Sequence, residues 1–244
     1  MAEKKEHKIV AAGSGEPVKP QTVQHTVKPA PEKGNPGSLR VGAVILWVLA
    51  IVFEALAALV LFGKINLKFL PVMYQLIAFI VLDLVCVIIG SQLWKKANHI
   101  APVSEKNKAK FWLWNNMGVI VCCFAFIPIV VLMLSNKDLD KKTKIICTVV
   151  AVIALLIGGL TSVDWDPVSA EQLAEAEQVL GGTQVYWAPF GKVYHTHEDC
   201  QSLNNSEQLT VGTVDQAIAA NRTRLCSFCA KRDSITELAT DDAA

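Results

Sequence analysis

Four long apolar blocks dominate this chain, at residues 41–62, 70–94, 111–134 and 145–163. Each reaches or nearly reaches the roughly 20 residues needed to cross about 30 Å of hydrocarbon. An amphipathic soluble helix shows a polar residue at every third or fourth position. These blocks are apolar all round, so lipid or other spans must surround them. Composition agrees: of 244 residues 52% are hydrophobic and 18% charged, and the mean hydropathy is +0.37. Those values exclude a single soluble globular domain and a wholly disordered chain.

Four spans put both termini on one side of the membrane. Basic residues suggest which side. Lys28, Lys33, Arg40, Lys95, Lys96, Lys106, Lys108 and Lys110 lie on the side of the termini, and Lys64, Lys68, Lys137, Lys141, Lys142 and Lys144 on the other. Eight against six favours cytoplasmic termini. The expected location is therefore a multi-pass position in a plasma membrane of bacterial type. Trp94, Phe111, Trp112 and Trp114 sit where an interfacial aromatic belt would lie.

Residues 1–40 hold five prolines, four glycines and seven basic residues but no aromatic. Such a segment buries too little apolar surface to offset its ordering entropy, and it reads as a disordered tail. A signal peptide would begin its apolar run nearer Met1. The Val-Lys-Pro triplet recurs at 18–20 and 27–29 and reads as extended linker.

After the fourth block, Asp166 and Pro167 suit an N-cap and a first helical position. A linker helix is expected over 170–180, stopped at Gly181 and Gly182. A strand is expected at 184–188, a turn at 189–191 and its hairpin partner at 192–195. Thr213 and Gln216 form a capping box for a helix ended by Asn221, and a further short helix is expected from Asp233.

This polar region carries the chemistry. Cys226 and Cys229 form a C-x-x-C pair, a spacing that lets one tight knuckle present two thiolates to one metal. Upstream, His195, His197 and Cys200 offer a third thiolate and two imidazoles. Zinc favours four tetrahedral sulfur and nitrogen ligands, and three cysteines with one histidine complete that set. His195, at the end of a predicted strand, is the favoured fourth ligand, with His197 the alternative. C-x-x-C pairs also do redox chemistry, but those motifs follow a strand and open a helix in a larger fold. A core of 184–231 alone is small enough to need a staple, and in a reducing compartment a metal serves.

The run Val185–His195, then Cys200 and Leu203, then Gly212–Ala217, then Arg224 and the closing Cys226–Cys229 pair resembles the Ada-like metal-binding module. The resemblance covers about one fifth of the chain. It implies a small zinc fold. In the DNA-repair member four cysteines hold the zinc, and one accepts a methyl group from a phosphotriester. Here His195 stands at one of the four positions, which departs from that set while leaving thiolates in place. Such modules also occur appended to nucleases and to membrane segments, so the resemblance alone implies no single role.

Glu54 lies deep in the first block and Asp83 deep in the second. Intramembrane acids usually face the bundle interior and often mark function. Antiparallel first and second spans would set the two at similar depth. Protonated and hydrogen-bonded to neighbouring helices, they would act as packing glue instead.

The expected fold class is a membrane all-α domain of four transmembrane helices plus a small α+β zinc-binding C-terminal domain. The expected units are a tail (1–40), a transmembrane domain (41–163), a linker helix (164–183), the zinc-binding module (184–232) and a C-terminal tail (233–244). No Ser-His-Asp set, phosphate loop or paired acids in a soluble cleft can be found, so catalysis is not expected. The expected role is presentation of a cytoplasmic structural-zinc module for partner binding or assembly. Alternatives are a metal, redox or alkylation sensor using the zinc thiolates, and an ion or small-solute transporter using Glu54 and Asp83. The expected partners are the bilayer and a protein. Nucleic acid is disfavoured, because Arg222, Arg224, Lys231 and Arg232 read more simply as a solvated face, and no small-molecule substrate is evident.

Overall fold

The structure, a computed structural model, describes residues 25–235 and 238. Its apolar part is built from α1 (Pro36–Leu61), α2 (Val72–Ile100), α3 (Lys108–Asn115), α4 (Met117–Ser135) and α5 (Lys141–Ser162). Of these, α1, α2, α4 and α5 are long and apolar enough to cross a membrane. The caps follow from sequence: the Asn35 side chain accepts from Gly37 N ahead of α1, and Asp140 accepts from Thr143 N ahead of α5. The third apolar block is not one helix. It breaks at Asn116, whose backbone leaves the helical range between α3 and α4. Helix α2 runs past its apolar block to Ile100, so Lys95 and Lys96 lie on the helix. At 1.5 Å per residue its 29 residues extend about 44 Å, well beyond the hydrocarbon.

Helix α1 packs along α2, and α2, α4 and α5 close the bundle. Leu76, Ile80, Val87, Phe126, Ile129 and Met133 fill its centre. Small residues let the backbones approach. A Cβ at Gly158 would stand 2.8 Å from Cys122 Sγ, and one at Gly118 would stand 2.5 Å from Ser91 Oγ. The outer face exposes Ile45, Val48, Phe124, Leu156 and Leu160. Water would solvate that face poorly, whereas acyl chains match it. At one end Trp47, Trp94 and Trp114 meet as tilted rings with centroids 5.2 Å apart in succession, and the guanidinium of Arg40 lies over Trp94 and Trp114.

The C-terminal region contains α6 (Ala170–Leu180), β2 (Val185–Trp187), β3 (Val193–Tyr194), a 3-10 turn (Gln201–Leu203), β4 (Gln208–Gly212), α7 (Val214–Ala219), β5 (Arg224–Leu225) and α8 (Ser227–Asp233). Strand β1 (Thr26–Pro29) joins it from the far end of the chain. One sheet has the order β1-β4-β2, with β1 parallel and β2 antiparallel to β4. The other pairs β3 with β5 in parallel.

Several sequence expectations need correction here. Within the tail expected to be disordered over 1–40, β1 spans Thr26–Pro29 and α1 begins at Pro36. The tail's second Val-Lys-Pro triplet lies in β1. The first triplet lies outside the described residues. The linker helix is capped by Ser169 in a capping box with Gln172, three residues past Asp166. It is no free linker, because Val168, Ala176 and Leu180 enter the module's own core with Val185, Trp187, Leu209 and Ile218. The module boundary at 184 is therefore too late. The hairpin survives as one bridge, in which Tyr186 and His195 exchange both backbone hydrogen bonds at 2.7 Å. The main partner of β2 is β4, and that of β3 is β5. Helix α8 ends at Asp233, and most of the short helix expected from that point lies outside the described residues. The capping box of Thr213 and Gln216 is present, and Asn221 takes a left-handed φ of 65° after α7.

Candidate metal centre

Parallel pairing of β3 with β5 builds the site. Tyr194 stands opposite Leu225, and both side chains are buried. The next residues in the two strands are His195 and Cys226. The Cys226 N–H donates to Tyr194 O at 2.9 Å, and the His195 backbone is fixed by its bridge to Tyr186. Two of the four side chains thus emerge together from one short ladder. Cys229 follows on the first turn of α8. Cys200 comes from the loop after β3, where Leu203 N donates to its carbonyl at 2.8 Å and the Leu203 side chain anchors the turn in the core.

The four potential ligand atoms of His195, Cys200, Cys226 and Cys229 all lie within 4.8 Å of one another, and all four residues are buried. Cys200 Sγ is 3.9 Å from Cys226 Sγ, and Cys229 Sγ is 3.8 Å from His195 Nδ1. A disulfide would hold its sulfurs at about 2.0 Å. Thiolates placed tetrahedrally about 2.3 Å from one ion lie about 3.8 Å apart, and a sulfur and an imidazole nitrogen about 3.6 Å. The spacing therefore fits a cluster that closes on a single metal ion.

Electrostatics agree with geometry. Burial pushes the Cys200 thiol up to about 12 and pulls the His195 imidazole down to about 4. The imidazole is thus neutral, as a ligand must be, and a nearby cation would favour ionisation of the Cys200 thiol. The Ser202 hydroxyl sits 3.7 Å from Cys226 Sγ, where it can donate to a thiolate.

His197 stands apart from this cluster. Its Nε2 lies 2.6 Å from Asp233 Oδ1, and Thr196 Oγ1 donates to Asp233 Oδ2 at 2.5 Å. Burial tends to raise the Asp233 pKa, but these hydrogen bonds bring it below the ordinary carboxylate range. The pair ties the loop after β3 to the end of α8. Arg232 pairs with Asp199 at 2.8 Å, and Arg222 donates to the Ala188 and Pro189 carbonyls. Arg222 and Arg232, read as part of a solvated face, are thus engaged within the module.

In the bundle, Asp83 is buried, and its Oδ1 has no hydrogen-bond partner among the described residues. Glu54 is half-buried. Among the described residues no third acid, histidine or cysteine joins them in a ligand cluster.

Sequence reasoning missed β1, β4 and β5. Alternation in the stretch around Leu209 and Val211 was the available signal for β4. Strand β5 has two residues and β1 lies far from its partner, so neither carries a local signature. Searches of protein-family models, curated proteins and solved structures find no match. The likeness to the Ada-like module rests on its residues and spacing alone.

Proposed function

We propose that this chain is a multi-pass membrane protein whose C-terminal module folds around a structural zinc ion and docks a protein partner or supports an assembly. The observation that carries the reading is the convergence of His195, Cys200, Cys226 and Cys229 in a buried set. Four protein ligands leave no open position for substrate or water, which is the pattern of a structural and not a catalytic zinc. Three cysteines without a disulfide suit a reducing compartment, and the lysine bias agrees. In this reading the membrane is a bacterial plasma membrane and the module is cytoplasmic. Cross-linking in intact membranes tests the role. The full chain should capture a defined protein set that Cys226→Ser loses while still inserting. Retention of the whole set by that variant would overturn the docking role.

A second reading is sensing through the same thiolates. A cleft of about 250 Å³ lined by Cys200, Cys229, Phe228 and Arg232 opens beside the cluster. Small oxidants or alkylators could reach sulfur there. Dilute peroxide should then release the metal from the full chain within minutes, and thiolates inert to peroxide would exclude sensing.

A further inference from the structure

Between the bundle and the module lies a cleft of about 540 Å³, a size suited to a small ligand. Lys95 and Lys96 enter it from the last turns of α2, Lys192 from the turn before β3, and Arg222 from the end of α7. Two acids share the lining. Asp164 is taken by His99, 2.9 Å away, and Asp166 pairs with Lys192 at 3.5 Å. Lys95 turns its ammonium onto the Thr161 and Val163 carbonyls at the end of α5. Lys96 is exposed and has no partner among the described residues. The four fixed cations outnumber the two acids, and His99 occupies one of those acids.

The position of the cleft selects its ligand. It lies where α2 and α5 pass from apolar to polar sequence, at the depth of lipid headgroups. Trp165 in its lining is 68% exposed, and Phe190, two residues before Lys192, is 99% exposed. Exposed aromatics beside juxtamembrane lysines are the arrangement that anchors protein at an anionic interface.

We infer that this cleft binds the phosphate of an anionic phospholipid from the adjoining leaflet, with Lys96 and Lys192 as its cationic wall and the charge of Arg222, whose guanidinium is held on the Ala188 and Pro189 carbonyls, behind them. The shared chemistry is a phosphate oxyanion, which free phosphate would also supply, so the test separates the two sources. The full chain in non-ionic detergent is offered phosphatidylglycerol or phosphatidylcholine in matched mixed micelles, and native mass spectrometry counts the lipids retained. Phosphatidylglycerol should be retained and phosphatidylcholine should not. The pair Lys96→Glu and Lys192→Glu should lower retention about tenfold with metal content and thermal midpoint unchanged. If that pair fails to fold, Lys96→Glu alone, at an exposed side chain without a partner, carries the test and should lower retention in the same direction. Excess inorganic phosphate should leave the lipid bound. Equal retention of the two lipids, unchanged retention in the folded variant, or displacement by inorganic phosphate would overturn the inference.

Discussion

At Cys200 burial raises the thiol pKa to about 12, and at His195 it lowers the imidazole to about 4. One shift keeps Cys200 protonated and the other keeps His195 neutral. A divalent cation would change the balance by stabilising the Cys200 thiolate that burial disfavours. Ser202 then gains a role, because its hydroxyl at 3.7 Å can donate to the Cys226 thiolate. Groups that hydrogen-bond metal ligands typically contribute 10-fold or more to affinity, so Ser202→Ala should weaken metal binding about tenfold in chelator competition. Unchanged affinity would deny the hydroxyl that part. The residues that converge in the cluster were legible one by one, since C-x-x-C spacing and a histidine at a strand end are local features. Ser202 was not, because its use depends on a turn that folds back over Cys226.

At the scale of elements, β1 shows how a segment with no core of its own becomes ordered. Its four residues are all exposed, and the strand pairs with the parallel edge that β4 offers. Lys33 and Asp215 add an ion pair between the segment after β1 and the first turn of α7. Burial tends to raise the Asp215 pKa, but the Lys33 ammonium holds its carboxyl below the ordinary range. A carboxyl held low contributes stability that is full above about pH 4 and is lost as pH falls further. A spin label at Lys28 should therefore gain mobility below about pH 4, and at neutral pH in Lys33→Ala. A label equally immobile in both would show that strand pairing alone holds β1. Composition could not announce this strand: proline-rich, aromatic-free sequence reads as tail, and the partner edge lies some 180 residues away. The four spans were legible for the opposite reason. Unbroken apolarity over 20 residues has few other solutions, and only details escaped it, such as the break at Asn116 and the run of α2 to Ile100.

At the scale of the whole molecule, the module is fixed to the bundle and not tethered to it. The buried pair of His99 and Asp164 joins α2 to the segment after α5. Ala170 N donates to Val103 O at 3.1 Å, and Glu171 accepts from Ser104 and Glu105. With β1 on one side and α6 in its core, the module rests on more than the 48 residues first ascribed to it. A metal held by the cluster would thus close a larger fold and not be its only support. X-ray absorption at the zinc edge of the purified full chain tests that closure most directly. The account predicts one zinc per chain with three sulfur neighbours at about 2.3 Å and one nitrogen at about 2.0 Å, and loss of a sulfur or of the metal in Cys226→Ser. A purified chain that carries no metal, or a zinc shell made mainly of oxygen, would contradict it.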